Sequence, residues 1–248
     1  MPGTQWLSST EGASTPAPAP APIVVEQPPV GSPMPQARRQ TPAWLLSPTT
    51  AMNELWALSS AYPMPDDVCS GDVQHTISCT LASAQTWEDL RQFDRPLVLD
   101  VVTAERFLAS VLLLTFDERS ATVWTASGLV EANLADVGAK WNGNYRFLWQ
   151  PPQGFVAPLA AGASSDVVME VAQLFAQLDG QTQLLADTVF NAALKRRVIL
   201  FQQKYALEDD GVVGMQTLLK LNELLGIDVS SSRAVVLLQK KYEAAGLK

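Results

Sequence analysis

The chain has 248 residues, enough for one large or two small domains, and 47% of them are apolar, enough for a core of ordinary size. Its net charge of −8 argues against nucleic acid as a partner, because that needs clustered Lys and Arg. No apolar run approaches the roughly 20 residues that cross a bilayer, and the N-terminus lacks the basic and apolar stretches of a secretory leader. The chain is therefore expected to be cytoplasmic or the soluble part of something longer.

Residues 1–42 hold ten of the seventeen prolines, around "TPAPAPAP" and "QPPVGSPMPQ". Proline removes a backbone donor and favours extended conformers, so a semi-rigid spacer is predicted here, tethering the folded part to something else. From residue 43 the pattern turns globular. In "PAWLLSPTTAMNELWALSSAYP" Met52, Leu55, Trp56 and Leu58 recur at helical spacing after a turn and a cap. "TWEDLRQFD" predicts a short helix capped by Thr86, with acids in its first turn where the helix dipole favours them. "LVLDVV" reads as a buried strand, "FLASVLLLTFD" and "ATVWTA" as hairpin partners across "DERS", and "NYRFLWQPP" as an aromatic strand ended by two prolines. Together they predict a small α+β domain over residues 43–152.

Residues 153–165 are rich in Gly, Ala, Ser and Pro and predict a linker; beyond them strand signals vanish. "DVVMEVAQLFAQLDG" runs as a helix from Asp166 as cap to Gly180, and "TVFNAALKRRVILFQQKY" offers Val189, Leu194, Val198, Phe201 and Tyr205 to one face. "GMQTLLKLNELLG" is closed by Gly226, and "SSRAVVLLQKKYEAAG" has serine caps before it and Gly246 after it. An all-α helical bundle over residues 166–248 is predicted, its last helix, 232–245, either completing the bundle or serving as a contact surface. Residues 195–248 carry nine Lys and Arg against six Asp and Glu, while residues 1–194 carry eight against nineteen. That asymmetry suggests an acidic partner for the C-terminal part, although a solvated helix face gives the same balance.

Cys69, His75 and Cys79 lie within "CSGDVQHTISC". One reading is a Cys–His nucleophile pair. The simpler one is a local disulfide between Cys69 and Cys79, because nucleophile and base normally meet from separate elements that fix their geometry, and these share one short segment. In an oxidising compartment such a bond contributes roughly 2–3 kcal/mol. A metal site is poorer, since these are the chain's only three soft ligands and no CxxC or HxxxH occurs.

"FQQKYALEDDGVVGMQTLLKL", residues 201–221, interrupts two helices with a double-glycine bend. Gly211 after two Asp suits a turn with positive φ, and Gly214 stands where the next helix begins, leaving a helix N-terminus whose free N–H groups favour carboxylates. Phe201, Gln202, Tyr205, Leu207, Asp210, Gly211, Val213, Gly214, Thr217 and Leu221 resemble the peptidoglycan-binding module of bacterial wall hydrolases: FQ, a Leu, DG-x-x-G-x-x-T and a closing Leu. Met215 departs from it, standing where that family often has Pro. The resemblance implies a peptidoglycan site at Phe201, Gln202, Tyr205, Asp210, Gly211, Gly214, Gln216 and Thr217. Asp210, Gly211, Gly214 and Thr217 read first as turn and cap residues, which leaves Gln202, Tyr205, Gln216 and the Lys and Arg of 195–204 to line the groove.

"CTLASAQTWEDLRQFDRPLVLDVV", "FLASVLLLTFDERSATVWT" and "WNGNYRFLWQPP", ahead of that module, are similar to the periplasmic region of the general secretion pathway protein A family, assembly factors of type II secretion. The resemblance spans about residues 43–225. It implies a small papain-like, bacteriocin-peptidase-related domain followed by the wall-binding lobe. Active relatives of that domain carry a His at the start of the strand written here "FLASVLLLTFD", where this chain has Leu108, Ala109 and Ser110. The implied domain is thus a degenerate, non-catalytic scaffold with no cofactor and no metal. The implied partners are peptidoglycan, general secretion pathway protein B and the secretin assembly, with self-association. The implied location is periplasmic, tethered to the inner membrane by a segment outside this chain. The alternatives are a wall-directed cysteine peptidase that its module only targets, and an adaptor whose lobe no longer binds wall.

Overall fold

The first helix starts where a cap and a proline meet: Ser47 accepts a hydrogen bond from Thr50 N at 3.1 Å, and Pro48, whose missing N–H is no loss in a first turn, opens α1 (Pro48–Ser59). The computed structural model describes residues 42–66, 68–69 and 76–246. The spacer expected at the N-terminus lies, up to residue 41, outside the described residues, as does His75.

Six strands follow: β1 (Ser78–Ser83), β2 (Leu97–Val102), β3 (Leu108–Phe116), β4 (Ser120–Thr125), β5 (Gly128–Asn133) and β6 (Trp141–Trp149). They form one antiparallel sheet in the order β1-β6-β2-β3-β4-β5. α2 (Trp87–Arg91) and α3 (Leu134–Gly138) punctuate it. α2 carries a capping box: Thr86 Oγ1 accepts from Asp89 N, and Asp89 Oδ2 accepts from Thr86 N at 2.9 Å and Gln85 N at 3.0 Å. Those bonds, the Thr86 backbone N–H first, hold the Asp89 carboxyl below the usual carboxylate range.

The long apolar run in β3 has a plain cause. Both faces of the sheet are covered, so neighbouring residues are buried alternately above and below it. On one face Val98, Leu112, Leu114, Trp124 and Leu148 meet Met52, Leu55 and Trp56 of α1, together with Ala234 and Leu238 of α7 (Ser231–Ala244). On the other, Leu99, Val111, Leu113, Tyr145 and Phe147 join Leu90 and Val137, and this core runs on into Phe175, Phe201 and Leu218 of the helical lobe. That lobe is α4 (Asp166–Leu178), α5 (Ala192–Lys204) and α6 (Met215–Leu225).

Two expectations change here. Ser165, not Asp166, is the N-cap of α4, and the second lobe helix starts only after Asn191, whose side chain accepts from Leu194 N at 2.9 Å. Val189 therefore lies ahead of the helix, bridged to Ser164 and half exposed. α7 does not complete the bundle: it crosses back onto the sheet, against β3, β5 and α1, with Lys241 Nζ bonded to Glu54 at 2.7 Å. The polypeptide thus passes between sheet and lobe twice, outward after Trp149 and back after Gly226. The described residues gather as one compact unit. The 153–165 segment is strapped into it by Phe155, edge-on to Trp149 at 6.1 Å, and by Leu159, which exchanges both backbone bonds with Val213.

The two crossings meet at a buried polar junction. Arg95 NH1 donates to Asp228 Oδ2 at 3.0 Å, and its NH2 donates to Leu219 O at 3.3 Å. Asn222 Nδ2 donates to Gln150 O at 2.7 Å and to Asp228 Oδ2 at 3.1 Å, while Gln150 N donates to Asp228 Oδ1 at 2.9 Å. Arg95 and Asp228 are 4% and 7% exposed, so neither charge has water to fall back on.

Candidate functional site

The bend at 205–217 is built around a single amide. Gln202, 2% exposed, shares its Nε2 hydrogens among Asp210 Oδ1 at 3.0 Å, Val212 O at 3.0 Å and Thr217 Oγ1 at 3.3 Å, and its Oε1 accepts from Gly211 N at 2.9 Å. Asp210 Oδ1 also accepts from Val212 N at 2.8 Å. Gly211 has φ +73°, and a Cβ there would lie 3.0 Å from the side chains of Ile199 and Lys195. Both its conformation and its neighbours therefore demand glycine. The exit from α5 is a Schellman motif, in which Leu207 N donates to Gln202 O and Ala206 N to Gln203 O. Ala206 fills the left-handed position, φ +53°, that normally takes glycine.

The eight residues expected to bind split accordingly. Phe201 is wholly buried, edge-on to Phe175 at 5.4 Å, and is core. Gln202, expected in the groove, is among the residues lining the recess before α6, as is Thr217, but at 2% and 3% exposed both act first as the staple of the turn. Asp210 and Gly211 shape the bend, and Gly214 is the N-cap of α6 with no side-chain cap. Tyr205 and Gln216 remain on the surface. Tyr205 is partly buried at 4.9 Å from Phe201, with Lys204 Nζ and Lys220 Nζ 5.2 and 5.8 Å from its ring centre. Gln216 is exposed in the first turn of α6.

Of the neighbouring cations, Arg197 is committed to structure. Its guanidinium grips Asp179 through Nε and NH2 at 2.7 and 2.6 Å and lies 5.0 Å over Phe175. This pairing pulls the Asp179 carboxyl below its ordinary range. Lys220 was not foreseen as part of the surface; its place one turn beyond Gln216 on the same helix is the signal that would have found it.

In front of α6 lies a recess of about 260 Å³ lined by Pro158, Leu207, Glu208, Gly214, Met215 and Gln216 among others. The first amides of α6, from Met215 to Thr217, have no partner among the described residues, so one end of the recess is electropositive. Glu208 and Asp210 are among its lining residues, and Asp210 Oδ1 is already engaged by Gln202 Nε2 and Val212 N. Such a recess offers amide donors to a carboxylate and carboxylates to a cation.

Cys69 and Cys79 form a disulfide with Cα atoms 4.8 Å apart, so neither of the chain's two cysteines keeps a free thiol. Ser110, at the strand start where active peptidases of the resembled kind carry His, is fully buried and pairs with Leu46 through the backbone.

Comparison with known proteins agrees with this division. Residues 164–221 match the model of the family described as "Putative peptidoglycan binding domain", a span that takes in α4, α5 and the first part of α6 and stops short of α7. The chain is 25% identical over 185 residues to General secretion pathway protein A of Aeromonas hydrophila, which covers 73% of this chain and 33% of that protein. It thus spans about a third of the length of the curated relative it matches. It is also similar to a solved periplasmic domain of the EpsAB fusion protein of the Vibrio vulnificus type II secretion system, at 26% identity and a TM-score of 0.56, covering 79% of this chain and 85% of that one. The curated relative carries the resemblance to general secretion pathway protein A, and the α+β sheet followed by a helical lobe is the fold that resemblance implied.

Proposed function

We propose that this chain is the periplasmic part of a type II secretion assembly factor and that it holds peptidoglycan, without cutting it, through the lobe of α4 to α6. The observation that carries this is the coincidence of the family match at 164–221 with a recess that brings free helix amides and carboxylates together. Peptidoglycan stem peptides carry carboxylates and amines together, so a stem residue sets its carboxylate against the α6 amides and its amine against Glu208 and Asp210. Gln216 lines that recess, and Lys220, whose Nζ pairs with Glu223 at 2.7 Å, lines an adjoining one with Leu207 and Gln216, while Gln202, Gly211 and Thr217 hold the bend.

Absence of catalysis is part of the proposal. A cysteine nucleophile must be a thiolate, and both sulfurs are spent in the disulfide. General secretion pathway protein B and the secretin are the proposed partners, self-association the proposed state, and inner-membrane tethering the proposed anchorage, all by analogy with the relatives. The test is co-sedimentation of the full chain with purified sacculi. Retention in the pellet, weakened by Gln216→Glu and Lys220→Glu, with no soluble muropeptide released, supports the proposal; a chain left in the supernatant overturns it.

A further inference from the structure

A second recess, on the side of the sheet bearing α2 and α3, plays no part in the lobe's site. It encloses about 650 Å³, and its lining includes Gln85, Thr86, Trp87, Gly138, Trp141 and Asn142. We propose that this recess is a separate saccharide cleft that stacks a sugar ring of the glycan strand on Trp87 and Trp141. The proposal rests on the reading of the chain as peptidoglycan-binding.

The indoles lie 5.1 Å apart at 34°, and Phe116 lies 5.4 Å from Trp87, so the three rings brace one another. Both indoles pack against the core and keep part of their surface open. A pyranose presents weakly positive C–H groups from one face, the complement of an indole's negative face. Glycine makes the room: a Cβ on Gly138 would lie 3.2 Å from Trp87 Nε1. The backbone is also shaped for the purpose. Leu99 pairs with Tyr145 but Val101 pairs with Trp141, so residues 142–144 bulge from β6, with Gly143 at φ +92°. A bulge re-aims side chains, here Asn142 at the recess, and Trp141 is fixed by its Nε1 donating to Asn144 O at 2.8 Å.

The polar groups fit a sugar as well. Asn142 Oδ1 is taken by Asn144 N at 2.9 Å, but its Nδ2 and the whole Gln85 amide have no partner among the described residues. Such amides both donate to and accept from hydroxyl and acetamido groups. No charged residue lines the recess in a chain of net charge −8, which suits a neutral ligand and contrasts with the charged rim before α6. A proline-rich peptide also docks on aromatic grooves, drawing on an indole N–H to reach its carbonyls; that of Trp141 is already engaged, so only Trp87 would serve it, and the test below includes such a peptide.

The test is calorimetric titration of the full chain with the β-1,4-linked hexamer of N-acetylglucosamine, which carries no stem peptide. Saturable binding is expected, weakened about ten-fold by the paired exposed substitutions Gln85→Ala and Asn142→Ala and more by Trp141→Ala. The paired variant touches no core residue and keeps the result interpretable if Trp141→Ala misfolds. No saturable binding, unchanged affinity in the paired variant, or displacement by a proline-rich peptide overturns the inference. Sacculus retention that survives loss of hexamer binding leaves the lobe's function standing; hexamer binding without retention sinks the lobe and not the cleft.

Discussion

Gln202 and Arg95 do the same kind of work in different parts of the molecule: each is buried, and each gathers backbone groups that would otherwise lie unpaired. Gln202 is neutral and takes its partners from the 15 residues that follow it, and both ends of its amide are satisfied. Arg95 is charged, reaches Asp228 across 133 residues, and leaves its Nε without a partner among the described residues. A turn can be stapled by local chemistry. A joint between lobes, whose backbone groups arrive from distant strands and helices, is held here by a charge pair that nothing nearby replaces.

That contrast can be broken from either side. Arg95→Met strands Asp228 as a buried charge and is expected to cost about 3–5 kcal/mol in urea unfolding; a cost below about 1 kcal/mol means the joint is not held by the pair. Gln202→Leu removes a neutral group, leaves Gly211 N–H unpaired and leaves Val212 C=O only the 3.5 Å bond from Thr217 Oγ1, so about 2–3 kcal/mol is expected, with sacculus binding weakened as the bend loosens. Gly211→Ala meets both the positive φ and the Ile199 and Lys195 side chains, for about 1–2 kcal/mol. Ala206→Gly runs the other way: it relieves a left-handed alanine and should raise the melting temperature, by about 0.5–1 kcal/mol of stability. The smallest effect is Asp179→Asn, about 0.5–1 kcal/mol at neutral pH, since the Arg197 pair is half-screened by solvent. Because the folded carboxyl titrates below its unfolded value, that contribution is complete above about pH 4 and fades as pH falls through the folded pKa, so variant and parent should converge in acid.

The lobe was legible because its instructions are local. Gly226 at φ +67° closes α6 and Gly180 at φ +63° follows α4, as their places in the sequence implied. The burial of Gln202 was hidden by its polarity, yet it lies four residues from Val198 and one from Phe201, on the stripe that the 3.6 period buries. β1 and β5 gave no signal: "SCTLAS" and "GLVEAN" are edge strands, partly exposed and without large alternating residues. α7 buries only Ala234 and Leu238, a stripe narrow enough to suit a bundle or a sheet, so its destination is a property of the assembled fold. The tryptophan cleft was invisible because a β-bulge, not a spacing, brings its members together.

The double crossing between sheet and lobe has a mechanical meaning. A body hung on one strand swivels freely, and a tug on it merely lengthens the thread. On the proposed function, tension from a bound polymer would divide between two covalent paths that flank the Arg95–Asp228 rivet, so twisting would be opposed as well as stretching. The lobe therefore transmits torque to the sheet, as a bracket does, instead of trailing behind it on a leash.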